Sequence, residues 1–326
     1  MTNNKKWLSV IMPTWNGEKF LESALESVAA QKEDNLEIIA VDDGSTDSTL
    51  DILKSYSRQL PMHIIKRNHT GNWVANTNIG LSEASGRYIS FLHQDDVWLP
   101  GRVKRLKALA AKWPEVVLFL HPSCFIDESN KKIGTWTCPL PKNQKPLLPD
   151  FVLPKLLVQN FISIPGPLFK RQAVAEAGFL DEQLWYTADW KLWMQLSCSG
   201  PVLYCSEPLS GFRIHFSSLT ARRSGNLPEF RRQIKAIIDQ FLPVVQSYQT
   251  KNIPRIKQLA EFSMEVNTTL AAAAWSQSLS IGGLLSQCFS LSPLSWLKYI
   301  KYSRIFERTH ARLRAGMSNL DHQISQ

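Results

Sequence analysis

The chain has 326 residues, 44% of them hydrophobic and 20% charged, which excludes a disordered or low-complexity polypeptide and allows one large domain, alone or with an appendage. Its formal net charge of +9 is unevenly placed: from residue 221 onward there are 14 Lys/Arg against 6 Asp/Glu, and before that 23 against 22. A nearly neutral first two-thirds without a recognisable nucleic-acid-binding pattern argues against nucleic acid as partner, and the basic last third points to an anionic surface.

Met1 to Lys6 leads straight into an apolar stretch with no signal-peptide pattern. Five cysteines, an odd number without a CxxC pair, read as free thiols in a reducing compartment, so a cytoplasmic protein is expected. Leu8–Pro13 reads as a first strand stopped by proline, and Glu18–Gln31 has helical spacing through Phe20, Leu21, Ala24, Leu25 and Val28. Glu37–Val41 is a second strand, followed by a helix opened by Ser45-Thr46-Asp47. Met62–Ile65 is a short strand, Val74–Ala84 a helix and Tyr88–Leu92 a fourth strand. Strand–helix alternation from the first residues predicts a parallel sheet with helices on both faces.

After Asp96 the pattern changes. Arg102–Lys112 is a basic amphipathic helix, Val116–Leu120 a strand, and residues 136–150 a Pro- and Lys-rich loop expected near the site. Ala173–Gly178 and Trp190–Cys198 read as helices and Leu209–His215 as a last extended segment. Beyond Ser224-Gly225-Asn226 the chain is helical in pattern. Val266–Leu297 carries no charge and is long enough to span a bilayer. Its Asn, Gln, Thr and Ser content, Gly282-Gly283 and Pro293 favour instead two short packed helices, Ala271–Leu279 and Leu284–Leu291. Lys298, Lys301, Arg304, Arg308 and Arg312 recur at steps of three or four, giving one basic helical stripe suited to an anionic membrane or to solvent.

Two adjacent-aspartate pairs, Asp42-Asp43 and Asp95-Asp96, each follow an apolar strand. Ligands of open α/β sheets sit beyond such strand ends, and carboxylates gathered there repel one another unless a cation or hydrogen-bond donors lie between them. Carboxylate oxygens suit Mg²⁺ or Mn²⁺ carrying a diphosphate. Trp15 offers a flat face to a nucleotide base, or else packs as a core aromatic; the sequence leaves both open. Asp189 precedes an apolar helix, where it can act as a general base, as an N-cap, or as both. Arg213 and His215 lie two apart on an extended segment and so share a face.

Taken in order, these segments resemble the family-2 inverting glycosyltransferases over about residues 7–220. The segments are Val10–Gly17, Val41–Asp47, Asn78-Ile79-Gly80, Gly86–Ile89, His93–Asp96, Ala188–Trp193 and Phe212–His215 followed by Ser217–Thr220. The resemblance implies a GT-A fold: an α/β catalytic domain over 1–222 with a Rossmann-like, mostly parallel central sheet flanked by helices, then an all-helical region over 223–326. It implies transfer of a sugar from a nucleotide-diphosphate sugar to a hydroxyl of a glycan or lipid-linked acceptor, in polysaccharide or glycolipid synthesis. Asp189 would be the base, and Asp96, Asp95 and His215 would hold Mg²⁺ or Mn²⁺. Pro13, Thr14, Trp15, Asn16, Asp42, Asp43, Asn78, Asp95 and Arg213 would bind the donor. His93 and Ala188 stand where the family often has acidic residues, which keeps a non-catalytic nucleotide-sugar-binding homologue as a second reading. A sugar nucleotidyltransferase would want a Gly-rich basic loop after the first strand, which Pro13–Gly17 lacks.

Overall fold

The computed structural model describes residues 6–215, 226–248, 252–274 and 291–324. In chain order, β1 (Leu8–Thr14), α1 (Glu18–Ala29), β2 (Leu36–Asp42), α2 (Thr49–Tyr56), β3 (Met62–Lys66), α3 (Trp73–Glu83) and β4 (Tyr88–Phe91) form the expected alternation. Then come β5 (Val97–Trp98), α4 (Arg102–Lys112), β6 (Leu118–Leu120), β7 (Ser123–Ile126), β8 (Lys132–Trp136), α5 (Pro149–Val158), β9 (Leu168–Lys170), α6 (Arg171–Ala177), α7 (Ala188–Ser199), β10 (Val202–Tyr204) and β11 (Ser210–Arg213). The remaining described helices are α8 (Leu227–Tyr248), α9 (Ile253–Ala274), α10 (Pro293–Ser303) and α11 (Ile305–Ile324).

The main sheet has seven strands in the order β10-β6-β9-β4-β1-β2-β3. All its pairings are parallel except those of β9, which runs antiparallel to β4 and β6. Strand alternation divides the core in two. Leu8, Val10 and Met12 of β1 face the layer of α1 and α4, whereas Ile11 faces the layer of α3, α5 and α7. Each such fully buried aliphatic side chain contributes about 1.5–3 kcal/mol. Gly80 lets α3 approach β1 closely, since a Cβ there would lie 2.6 Å from Ile11 Cγ2.

A second sheet of four strands, β5-β11-β7-β8, departs from the sequence expectation. β11 pairs parallel to β7 and antiparallel to β5, so the last extended segment lies beside the β4 turn rather than in the main sheet. The end of the Pro- and Lys-rich loop joins the main sheet at the β10 edge, where Leu147 bridges Val202.

The carboxyl-terminal helices share the core of the α3, α5 and α7 layer. Ile237 and Phe241 of α8 and Ala260 of α9 sit in the same buried cluster as Leu156 of α5 and Trp193 of α7. The single basic stripe is not realised. Arg304 adopts a left-handed conformation (φ 51°) that breaks α10 from α11, and Arg308 turns inward to donate to Asn267 Oδ1 at 2.7 Å. Among the described residues no helix is long and apolar enough to cross a membrane. Most of the Ala271–Leu279 and Leu284–Leu291 pair, and Ser217–Thr220, lie outside the described residues.

Candidate functional site

The carboxyl ends of β1, β2, β3 and β4 point the same way, and the loops beyond them build one side of a cleft. After β2 the chain turns through Gly44 (φ +71°), where a Cβ would come within 2.8 Å of the His69 backbone nitrogen. This brings the β2 and β3 loops together. Asp43 accepts from the Thr70 backbone at 3.0 Å, the Thr70 hydroxyl at 3.0 Å and the Gly71 backbone at 2.8 Å. Burial would raise its pKa, but these donors prevail and hold the carboxyl below its ordinary range. His69 lies 3.0 Å from the same carboxylate through Nδ1, and its ring stacks on Trp15 at 4.6 Å. Trp15 is half-buried, not a core aromatic. Its backbone is clasped from both sides by the Gln94 amide, at 2.8 and 3.0 Å.

The second aspartate pair divides its work. Asp95 Oδ2 meets His215 Nε2 at 2.9 Å, while Asp96 Oδ1 accepts the Arg213 backbone N–H at 2.9 Å. Burial and the neighbouring Asp95 charge push Asp96 well above the usual carboxylate range. Burial acts on Asp95 too, but the hydrogen bond and charge of His215 outweigh it and hold Asp95 low. Asp95, rather than Asp96, is therefore the carboxylate paired with the imidazole. One carboxylate and one imidazole fit a divalent ion that draws its other ligands from a diphosphate and water. Among the described residues no group of three or more His, Cys, Asp or Glu is placed to hold an ion by itself.

Arg213 and His215 do share a face, and both meet Phe20: Arg213 lies over the ring at 4.6 Å and His215 meets its edge at 4.9 Å. Yet Arg213 is only 3% exposed. Its guanidinium donates to Asp95 O at 2.7 Å, Asp127 O at 2.6 Å and Asn130 Oδ1 at 2.6 Å. It locks β11 and the β7–β8 turn onto the Asp95 loop instead of facing a donor.

Asp189 stands in the first turn of α7. Asp189 accepts from its own helix at the Trp190 N–H (2.7 Å) and from Asn160 Nδ2 (3.1 Å). Burial raises its pKa to about 6 against the pull of those donors. Trp73, at the start of α3, reaches the segment leading into α7: its Nε1 donates to Trp185 O at 3.0 Å and its ring meets the His93 ring edge at 5.4 Å.

Residues 9–169 match the profile of Glycosyl transferase family 2. The chain belongs to that family. An uncharacterized glycosyltransferase of Rickettsia prowazekii is 29% identical over 68% of this chain and 69% of its own length. The GalNAc(5)-diNAcBac-PP-undecaprenol beta-1,3-glucosyltransferase of Campylobacter jejuni is 29% identical over 58% of this chain and 59% of its own. Among solved structures, TarS 1-349 of Staphylococcus aureus with UDP-GlcNAc superposes with a TM-score of 0.59 over 93% of this chain and 91% of its own, at 16% identity. The fold is thus that of GT-A glycosyltransferases.

Several expected donor ligands of this glycosyltransferase have other partners. Asp42 is fully buried, accepting from Thr14 Oγ1 at 3.1 Å and from Ser45 N at 3.0 Å, so both Asp42 and Thr14 shape the turn. Asn16 Oδ1 accepts the Thr46 N–H at 2.8 Å, stapling the β1 and β2 loops. Pro13 is buried within β1 opposite Val41. Asn78 binds the Leu180 backbone in both directions, at 2.9 and 3.0 Å, and so anchors α3 to the segment leading into α7. The sequence reading passed over His69, Asn160 and Trp73. The last two follow no local pattern, but His69 lies in a polar run directly after a strand, which marks a binding loop.

Proposed function

We propose that this family-2 enzyme is an inverting glycosyltransferase that moves a sugar from a nucleoside-diphosphate sugar to a hydroxyl of a glycan or lipid-linked acceptor. The observation that carries the reading is Asp189, a buried carboxyl at the amino end of α7 that Asn160 orients and whose pKa burial raises to about 6. A carboxylate with that pKa is ionised at neutral pH yet basic enough to take a proton from an attacking hydroxyl. Trp15 and His69 provide the aromatic surface for the nucleoside base, with the Asp43 carboxylate as acceptor for its N–H or ribose hydroxyl groups.

In the reaction the acceptor oxygen bonds to the anomeric carbon as the bond from that carbon to the diphosphate oxygen breaks. The hydroxyl proton passes to Asp189 and then to water. One displacement from the face opposite the leaving group inverts the anomeric centre. Asn160 Nδ2 and the Trp190 N–H keep the Asp189 carboxylate aimed while it waits for the acceptor. Asp95 and His215 would hold a Mg²⁺ or Mn²⁺ ion, which as a Lewis acid offsets the charge developing on the leaving diphosphate. Among the structural relatives, a mannosyltransferase of Pyrobaculum calidifontis is in complex with GDP-Man and Mn2+. The named acceptor of the Campylobacter relative is a lipid diphosphate glycan, which supports polysaccharide or glycolipid assembly as the setting.

The test is a panel of UDP-, GDP-, dTDP- and CDP-sugars with a lipid-linked glycan acceptor, with and without Mn²⁺. Release of one nucleoside diphosphate with matching glycosylated product of inverted configuration by NMR is expected. A product of retained configuration would exclude the single displacement, and no turnover with any donor would favour the non-catalytic homologue.

A further inference from the structure

The most apolar exposed surface among the described residues lies on α10 and the start of α11, away from the cleft. Leu294, Leu297 and Phe306 are each 65% exposed. On α10, Leu294, Leu297, Lys298 and Lys301 are spaced i, i+3, i+4 and i+7, so they form a single outward stripe. The stripe continues onto α11, because Leu297, Lys301 and Phe306 line one shallow cavity of about 250 Å³. On its other side stands α5, whose Phe151 is 39% exposed and carries the Lys155 ammonium over its ring. Lys155, Lys298 and Lys301 make no ion pair among the described residues, and burial together with the charges of Lys301 and Lys298 lowers the Lys155 pKa to about 8.

Buried sides of the same helices are well packed: Tyr299 and Ser295 of α10 are almost wholly covered, and Trp296 and Ile300 pack against Phe262 of α9. The outward leucines and phenylalanine thus have no packing role within the described fold. Large apolar side chains on the outer face of α10 and the start of α11, beside ammonium groups, match the boundary between acyl chains and anionic headgroups.

We propose that this face, Leu294, Leu297 and Phe306 with Lys155, Lys298 and Lys301, docks the enzyme on the anionic surface of a lipid bilayer. The inference rests on the lipid-linked part of the reading above and gives it a geometry. α5 begins beside the docking face and ends at Gln159-Asn160, where Asn160 holds the base Asp189. From Phe151 to Asn160 is nine residues, roughly 14 Å along a helix. A bilayer docked on this face would present the headgroup glycan of a lipid-linked acceptor at that depth. The two other readings of such a face are a soluble protein surface and a self-association patch.

The experiment is sedimentation of the full chain with vesicles of phosphatidylcholine alone or with 30% (about one lipid in three) phosphatidylglycerol at low salt. Donor turnover on a water-soluble acceptor is measured in parallel. Binding to the anionic vesicles only is expected, falling about 25-fold in Lys298→Gln/Lys301→Gln at about fivefold per lysine. Leu297→Ser/Phe306→Ser should also release the protein from vesicles, with soluble turnover unchanged in both variants because neither touches the cleft. Wild type that turns over donor but ignores anionic vesicles would overturn the docking proposal and leave the enzymatic reading standing. Vesicle binding without turnover on any donor would do the reverse. A wild-type dimer in analytical ultracentrifugation that Leu297→Ser/Phe306→Ser breaks, without vesicle binding, would assign the face to a second copy and also overturn it.

Discussion

Replacing Asp189 with asparagine should abolish turnover while making the protein more stable. In the folded state burial raises this carboxyl from 3.8 to about 6. Ionising it at pH 7.5 therefore costs about 3 kcal/mol relative to the unfolded chain, at 1.36 kcal/mol per pKa unit. The neutral amide would remove that cost but could accept only through its single carbonyl oxygen, losing one of the two hydrogen bonds from Trp190 and Asn160, worth about 1 kcal/mol. A net gain of about 2 kcal/mol remains. With an unfolding entropy of about 2.1 cal/mol/K per residue, the whole chain should melt about 3 °C higher. The sign depends on pH. Because the folded pKa lies above the unfolded one, the penalty is absent below about pH 3.8, where both states are protonated. It grows as pH rises and is complete above about pH 6. Differential scanning calorimetry of wild type and Asp189→Asn between pH 4 and 8 should show the two melting curves separating through that window. Turnover should fall by about 10²–10⁴, the contribution of a general base, and wild-type kcat/KM should decline below about pH 6. Equal melting temperatures at all pH values would refute the burial argument, and retained activity would refute the role of base.

Other expectations follow from the same geometry. Trp15→Ala removes the stacking surface beside His69 and should weaken nucleotide binding by about 1–3 kcal/mol, measured by calorimetric titration; unchanged affinity would place the base elsewhere. Asp95→Ala should eliminate the Mn²⁺-dependent rise in melting temperature with nucleoside diphosphate. Asn78→Ala should leave that rise intact while costing about 1–2 kcal/mol of stability through the lost Leu180 contacts. The reverse pattern would restore Asn78 as a donor ligand. Gly80→Ala forces a methyl to 2.6 Å from Ile11 Cγ2 and should lower the urea midpoint by the equivalent of about 1–3 kcal/mol. A midpoint equal to wild type would mean that α3 can retreat from β1.

Much of the main sheet was legible because its information is local. Leu8–Thr14, Leu36–Asp42 and Tyr88–Phe91 are mostly apolar runs, interrupted only by Ser9, Glu37 and Ser90 before their polar turns, and strands buried on both faces read that way. The second sheet was not legible. Val97–Trp98 and Ser123–Ile126 are too short to show a period, and they are strands because of distant pairings, β5 with β11 and β7 with β11 and β8. The same division runs through the site. Asp43, Asp95 and Asp189 announce themselves at strand and helix ends, where backbone geometry predicts a cleft.

What each of those residues does with its hydrogen bonds is another matter. Residue type and spacing alone predicted an α/β chain with carboxylates at two strand ends and a third at a helix start, and the resemblance of the ordered segments supplied the nucleotide-sugar expectation. Only the tertiary structure decided that Asp95 and not Asp96 pairs with His215, that Arg213 is a buried clamp, and that Asn160 aims Asp189. It also broke the expected basic stripe at Arg304 and turned Arg308 inward, leaving the lysines of α10 outside. Periodicity states which side chains share a face of one element. Which partners that face meets depends on contacts between residues far apart in the chain, such as Asp95 with His215, and no local pattern encodes them.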